Sequence, residues 1–365
     1  MQVHGTPHQS IWLDEQNRIT IIDQTRLPYE FKTKILSSLE DFARAIEHME
    51  VRGAPLIGIT AAFGLAMTLK ENPSFENEEA AATRLLRTRP TAINLKWAVD
   101  RIRAIIKPHH RKDVASIALT EACSMLQHDM DTCEKIGDFG LEIIRRIHEE
   151  KTGKDKTVNI LTHCNAGWLA TVDWGTATAP IYKAHLNNIP VHVWVDETRP
   201  RNQGAITAWE LGQQGVPHTY VTDNTGGHLM QHGMVDLCIV GSDRTTARGD
   251  VCNKIGTYLK ALAATANKVP FYTALPTSTI DWQVNDGILE IPIEQRSPEE
   301  ITFIQGTTAH NDLEKVRVTP PGSPVANFAF DVTPAHLVSG LITEFGVFEA
   351  NASSLKQLRE TIEKP

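Results

Sequence analysis

The chain of 365 residues is poor in cysteine and aromatic residues and has no long apolar run. Each shortage excludes something. Five cysteines, odd in number and without a Cys-x-x-Cys pair, make no disulfide framework, so a reduced, cytoplasmic protein is expected. The histidines fall into no zinc-ligand spacing, so no metal is expected. No apolar stretch reaches the roughly 20 residues that a bilayer crossing needs. The first twenty residues lack the basic-then-apolar pattern of a secretory leader, and no membrane partner is expected. Basic residues are outnumbered, 36 Lys and Arg against 44 Asp and Glu, for a formal net charge of −8. That balance argues against a general nucleic-acid binder but leaves room for a local basic pocket. No Gly-x-Gly-x-x-Gly follows a strand-like run, so no dinucleotide is indicated, and no other cofactor is expected. There is no internal repeat and no low-complexity tract.

What is present changes character at the polar run 148–157, which reads as a domain boundary. Residues 1–150 read as a smaller, mostly helical N-terminal domain with a few short strands. "IWLD" and "RITIID" alternate as strands do. Ser38 with Asp41 forms a capping-box pattern, followed by Leu39, Phe42, Ile46 and Met49 at helical spacing. Pro55 suits the first turn of a second helix. Pro90 is expected to open a third, with Leu95, Val99, Ile102 and Ile106 on one face, and more helix runs to about Glu150. Residues 151–365 alternate short β-branched runs ("VNILTHC", "PVHVWVDE", "PHTYVTD", "VDLCIVGSD", "VPFYTALP") with helix-like segments. The fold class expected is therefore α/β, a Rossmann-like parallel-sheet C-terminal domain behind the N-terminal one.

In an open parallel sheet, ligands sit beyond the carboxyl ends of the strands. The residues there are Cys164-Asn165-Ala166-Gly167, Thr198 to Gly204, and Gly241-Ser242-Asp243-Arg244 followed by Gly249 to Lys254. Asp243, after a buried strand and near Gly241, is the strongest acid–base candidate. Cys164 reads equally as a functional thiol at a strand end or a buried small residue. His163 and Cys238 read as core, Cys252 either way. Helix starts form a second pattern. Arg52-Gly53-Ala54 precedes the Pro55 helix, Arg87 and Arg89 precede Pro90, Gln203 precedes "AITAWEL", and Asn253-Lys254 is expected to open its own helix. Free backbone N–H groups beside cations make anion sites. Together they suggest a small phosphorylated ligand held by both domains.

"VRGAPLIGITAAFG", "RPTAINLKWAVDR", "LTHCNAG", "VDETRPRNQGAITAWEL", "IVGSDRTTARGDVCNKIGTYLKALAA", "YTALPTSTID" and "IPIEQRSPEEI" resemble the 5-methylthioribose-1-phosphate isomerase family over nearly the whole chain. The wider superfamily includes ribose-1,5-bisphosphate isomerase and regulatory subunits of the translation-initiation exchange factor. The resemblance implies a metal-free aldose–ketose isomerase of methionine salvage, working as a homodimer. It places the catalytic pair on Cys164 and Asp243, and the phosphate and sugar contacts on Arg52, Gly53, Ala54, Arg89, Gln203, Asn253 and Lys254. It also selects Arg89 over Arg87. Because the substrate's anomeric oxygen is phosphorylated, its ring cannot open spontaneously. Asp243 is then the acid at the ring oxygen, and Cys164 is either the base at C2 or a stabiliser of charge at C1 during a hydride shift. Two departures from the family pattern stand out, "ITIIDQTRLP" and "THCNAGWLATVDWGTATAP". Trp168, Val172, Asp173 and Trp174 are expected to shape the pocket for the 5-substituent, with 5-deoxyribose-1-phosphate isomerase as the alternative.

Overall fold

A computed structural model describes residues 1–90 and 92–363. Thr91, inside the "RPTAINLKWAVDR" stretch, lies outside the described residues.

The N-terminal part begins with a short hairpin, Gln2–Val3 and Thr6–Pro7, followed by a three-stranded antiparallel sheet, Ile11–Leu13, Ile19–Ile22 and Thr33–Leu36. Five helices follow: Leu39–Glu47, Ala54–Glu71, Phe75–Leu86, Ile93–Ile106 and Val114–Glu150. The first is entered through the expected capping box, Ser38 accepting from the Asp41 amide while Asp41 accepts from that of Ser38. The second carries Pro55 in its first turn and is buried on all sides, as its continuous apolar sequence requires. The fourth begins at Ile93, later than Pro90 suggested, and buries Leu95, Val99, Ile102 and Ile106.

The 37-residue helix Val114–Glu150 serves two cores. Val114, Ala118, Ala122 and Met125 join a cluster built from the N-terminal helices. Ile136, Leu141, Ile143 and Ile144 join a second cluster made mainly from the large sheet. The clusters also exchange members: Val172 packs with the first, and Val3, Ile22 and Leu27 with the second.

The large sheet has seven strands. From one edge they are His218–Val221, Val191–Asp196, Val158–Thr162, Leu237–Val240, Phe271–Ala274, Gly340–Thr343 and Gly346–Phe348. All pairings are parallel except the last hairpin. Taken in chain order this is 3-2-1-4-5-6 with an added antiparallel strand, the doubly wound arrangement expected. The chain order reverses between Val158–Thr162 and Leu237–Val240. Cys164 lies two residues beyond the first of these strands and Asp243 three beyond the second, so the topology alone brings both to the switch-point crevice.

A four-stranded side sheet supplies the rest: Ile280–Asp281, Arg244–Thr246, Val251–Lys254 and Phe330–Thr333. This corrects one expectation. Asn253-Lys254 ends a strand, and the helix begins at Thr257 behind Gly256. The strand pairs with Phe330–Thr333, setting Asn253 opposite Asp331 and Lys254 opposite Phe330.

Candidate active site

One cavity, about 650 Å³ of empty space open to solvent, is lined by Arg52, Gly53, Ala54, Arg89, Cys164, Gln203, Asp243, Asn253 and Lys254. All nine residues singled out in the sequence therefore meet. Four come from the helical part and five from the sheet.

Arg52 and Gly53 form the turn into the helix Ala54–Glu71. Gly53 has φ +92°, and a Cβ there would lie 2.3 Å from the carbonyl oxygen of Ala170. Only glycine lets this turn press against the segment that follows Cys164. Gly241 has a similar task on the other wall, where a Cβ would stand 2.6 Å from that of Ala166.

The charges are unusual. Arg52 is buried, and its Nε and Nη2 have no hydrogen-bond partner. Lys254 is buried too, its Nζ resting 4.7 Å from the Phe330 ring centroid. Among the described residues neither has a carboxylate within ion-pairing distance. Burial lowers the pKa of both, and Cys164 and Asp243 oppose that shift. Buried cations without protein partners are costly, and such a pair suits an anionic ligand. Arg89 lies 3.3 Å from Glu294, which Arg296 also pairs. The Gln203 Oε1 is unpartnered and buried. Asn253 donates from Nδ2 to Thr257 Oγ1 at 2.9 Å.

Burial raises the Asp243 carboxyl above its ordinary range, against the pull of Lys254 and Arg89. Burial likewise raises the Cys164 thiol, with Lys254 and Arg52 opposing. In the ligand-free site both groups thus lean toward their protonated forms. Cys164 has φ +68°, which a non-glycine residue adopts only when its surroundings impose it. Its N–H donates to Thr198 Oγ1 at 2.8 Å, and its carbonyl accepts from Thr207 Oγ1 at 2.8 Å.

Other sequence candidates separate cleanly. Arg87 is exposed at a helix end, away from the cavity that Arg89 lines. Arg244 pairs with Asp281 at 2.9 Å, and Arg248 is exposed. Cys252 is core, its thiol pushed up to about 12 by burial. Cys238 is buried in the sheet.

The expectation for Trp168 to Trp174 is overturned. Trp168 is fully buried beside Trp209, ring centroids 6.4 Å apart, and Val172 belongs to the N-terminal core. Asp173 binds the chain's N-terminal ammonium at 2.6 Å, and Trp174 lies under Lys183. Only Ala170 and Thr171 of that run face the cavity. The large residues fasten the segment from behind. From the other altered stretch, Gln24 donates to the Leu169 carbonyl at 2.6 Å and so holds the same segment.

Sequence reasoning missed Met49, Thr176, Pro276 and Phe330 as lining residues. Pro276 sat in a quoted motif; Phe330 carried no signal, because only its pairing with Lys254 brings it near. His163, Asp196 and Asp223 group their ligand-type atoms as a metal site would. Lys260 Nζ stands 3.0 Å from Asp196 Oδ2, so an ammonium already supplies the positive charge there.

The model of the Initiation factor 2 subunit family matches residues 50–350. The methylthioribose-1-phosphate isomerase of Methylorubrum populi is 58% identical over 360 residues, 98% of each chain. That of Rhodospirillum rubrum is 59% identical over 366 residues, covering 98% of this chain and 93% of its own. The crystal structure of 5-methylthioribose 1-phosphate isomerase from Pyrococcus horikoshii OT3 superposes with a TM-score of 0.83 at 36% identity, covering 99% of this chain and 100% of that one. The translation initiation factor eIF-2B, subunit delta, from A. fulgidus superposes at 0.78 with 36% identity, covering 96% and 100%. On the strength of these matches across nearly its full length, the chain belongs to the Initiation factor 2 subunit family and, within it, to the methylthioribose-1-phosphate isomerases.

Proposed function

We propose that the protein is an aldose–ketose isomerase that converts 5-methylthioribose 1-phosphate to 5-methylthioribulose 1-phosphate, a step of methionine salvage. The observation that carries this reading is the cavity in which buried, anion-seeking Arg52 and Lys254 face a raised carboxyl and a raised thiol. Relatives near 58% identity bear that activity in their names.

The phosphate is assigned to Arg52, Arg89 and Lys254 with the turn Gly53-Ala54, and sugar hydroxyls to Gln203 and Asn253. Asp243, held protonated, gives its proton to the ring oxygen, and the bond from C1 to that oxygen breaks. Hydrogen then passes from C2 to C1. If it moves as hydride, the C2 hydroxyl returns its proton to Asp243 and the carboxyl is regenerated. If a base takes it as a proton, Cys164 must first become a thiolate. The raised thiol of the ligand-free cavity supports the hydride route, which asks no prior deprotonation. Substrate deuterated at C2 distinguishes them: deuterium retained at C1 supports the shift, and washout to solvent supports the base.

A homodimer in the cytoplasm completes the proposal. Tyr258, Leu259 and Leu262 expose apolar surface on the single helix Thr257–Ala266, which suits a subunit contact. Five free cysteines suit a reducing compartment.

The test is a side-by-side rate measurement on 5-methylthioribose 1-phosphate, 5-deoxyribose 1-phosphate and ribose 1,5-bisphosphate. The methylthio sugar is expected to lead in kcat/KM. Equal or better turnover of the deoxy sugar would change the substrate, and no turnover of any would remove the enzyme reading.

A further inference from the structure

Behind Cys164 lies a buried set of charged groups that the reaction chemistry does not use. His163, Asp196 and Lys260 are all buried. Lys260 Nζ sits 3.0 Å from Asp196 Oδ2 and donates to the Asp223 backbone carbonyl at 2.6 Å. His163 Nδ1 lies 3.3 Å from Asp196 Oδ2, and its Nε2 lies 2.9 Å from the carbonyl oxygen of Ile255. The Asp223 carboxylate accepts from the amides of Thr198 and Arg199 at 2.8 and 2.9 Å. Thr198 Oγ1 donates to the Asp196 carbonyl at 3.1 Å and accepts from the Cys164 amide.

Two features of this arrangement matter. It ties together the ends of three adjacent parallel strands, those ending at Thr162, Asp196 and Val221. It also joins two walls of the cavity from behind: His163 precedes the lining residue Cys164, while Ile255 follows the lining residue Lys254. The network therefore fixes the thiol-bearing turn against the ammonium-bearing strand. Both His163 nitrogens face oxygen atoms, a carboxylate and a carbonyl, so the ring is held at both ends. The Lys260 ammonium lies against the Asp196 carboxylate, so these two buried charges are paired. A merely space-filling core would not need four ionisable side chains at one strand-end crossing.

We infer that His163, Asp196, Lys260 and Thr198 form a positioning unit that holds Cys164 in its left-handed conformation and in register with Lys254. This deepens the isomerase reading and rests on it for the kinetic readout alone. Thr198 is the link that touches Cys164, and its hydroxyl is the acceptor. Thr198→Val removes that acceptor at nearly constant shape, and Thr198→Ser retains it. Lys260→Met removes the charge that anchors Asp196.

The experiment measures kcat and KM for the methylthio sugar, together with the iodoacetamide alkylation rate of Cys164 in ligand-free protein, located by peptide mass spectrometry. Thr198→Val is expected to lower kcat by about tenfold to a hundredfold with little change in KM, as a small misplacement of a reacting group does. It is also expected to change the alkylation rate, and Thr198→Ser to recover most of both. Lys260→Met should act in the same direction. Combined with Thr198→Val it should add less than the product of the single effects, because both act through one unit. Wild-type kcat and wild-type alkylation in Thr198→Val would overturn the inference, as would a Thr198→Ser variant no better than Thr198→Val. Should Lys260→Met fail to fold, the Thr198 pair still decides. Alkylation needs no substrate, so a protein that turns over none of the three sugars would remove the isomerase reading and leave this test standing.

Discussion

The proposed acid, Asp243, has to keep its proton longer than an ordinary carboxyl does, and its surroundings push it in that direction. Burial raises the Asp243 pKa, and the cations Lys254 and Arg89 only partly oppose it. The protonated form therefore persists to higher pH than for an ordinary carboxyl, and turnover should fall as pH rises through that raised value. Asp243→Asn keeps the shape and loses the transferable proton. It should cut kcat by about a hundredfold or more while the melting temperature stays at or above that of wild type, because no charge is removed from a stabilising pair. Unchanged turnover would reject the assignment. Asp243 was legible because its position after an apolar strand says where it will be in any doubly wound sheet. Trp168 was misread at the same scale. Sequence proximity to Cys164 put it near the site, but direction is set by a turn. The ring points into the core while Ala170 and Thr171 face the cavity. Thr198 was read only as part of a strand-end run and Lys260 went unnoticed, because hydroxyls and lysines are common and only the fold brings these two to the Cys164 turn.

Elements show the same division between local and distant causes. The capping box at Ser38 and the proline at the start of the second helix are local, so they could be read in the sequence. The strand Val251–Lys254 could not, because its partner Phe330–Thr333 is remote in the chain and the four residues have no period of their own. The long helix Val114–Glu150 carries another consequence of distant packing. Its Asp129 is buried against the segment after Cys164, accepts the Val172 amide at 2.7 Å, and is pushed up to about 7 by burial. A carboxyl whose folded pKa is raised contributes stability below its unfolded pKa, near 4, and loses it as pH rises through about 7. Glu210, buried and pushed up to about 8, adds to the same slope. Urea unfolding should therefore show stability declining between about pH 4 and pH 8, by a few kcal/mol in all. Asp129→Asn keeps an oxygen for the Val172 amide and has no proton to lose. It should flatten the part of the slope that ends near pH 7. An identical slope in the variant would mean that Asp129 is ionised in the folded protein throughout.

At the scale of the whole molecule, the site exists only where two cores meet. Arg52, Gly53, Ala54 and Arg89 come from the helical part, and Cys164, Gln203, Asp243, Asn253 and Lys254 from the sheet. The sequence showed two kinds of signal, helix starts and strand ends, but they do not follow this division, because Gln203 and Asn253-Lys254 were read as helix starts and belong with the sheet. What the sequence did not disclose is that the two cores share a helix and exchange Val172, Val3, Ile22 and Leu27. The junction holds buried Arg52 nitrogens without partners, which costs stability, and a phosphate bound there as proposed would restore it. The prediction follows in two parts. On the Asp243→Asn background, where substrate is not consumed, 5-methylthioribose 1-phosphate at a hundredfold excess over Kd should stabilise the fold by about 2.7 kcal/mol, read as a rise in melting temperature. Adding Arg52→Met should do two opposite things. It removes a buried guanidinium with unpartnered nitrogens, so the ligand-free protein should melt no lower and by this reasoning higher. It also removes an anion contact, so most of the ligand-induced rise should vanish at the same concentration. A variant that melts lower when free would show that Arg52 holds the junction together by itself. A ligand-induced rise that survives intact would place the phosphate elsewhere in the cavity.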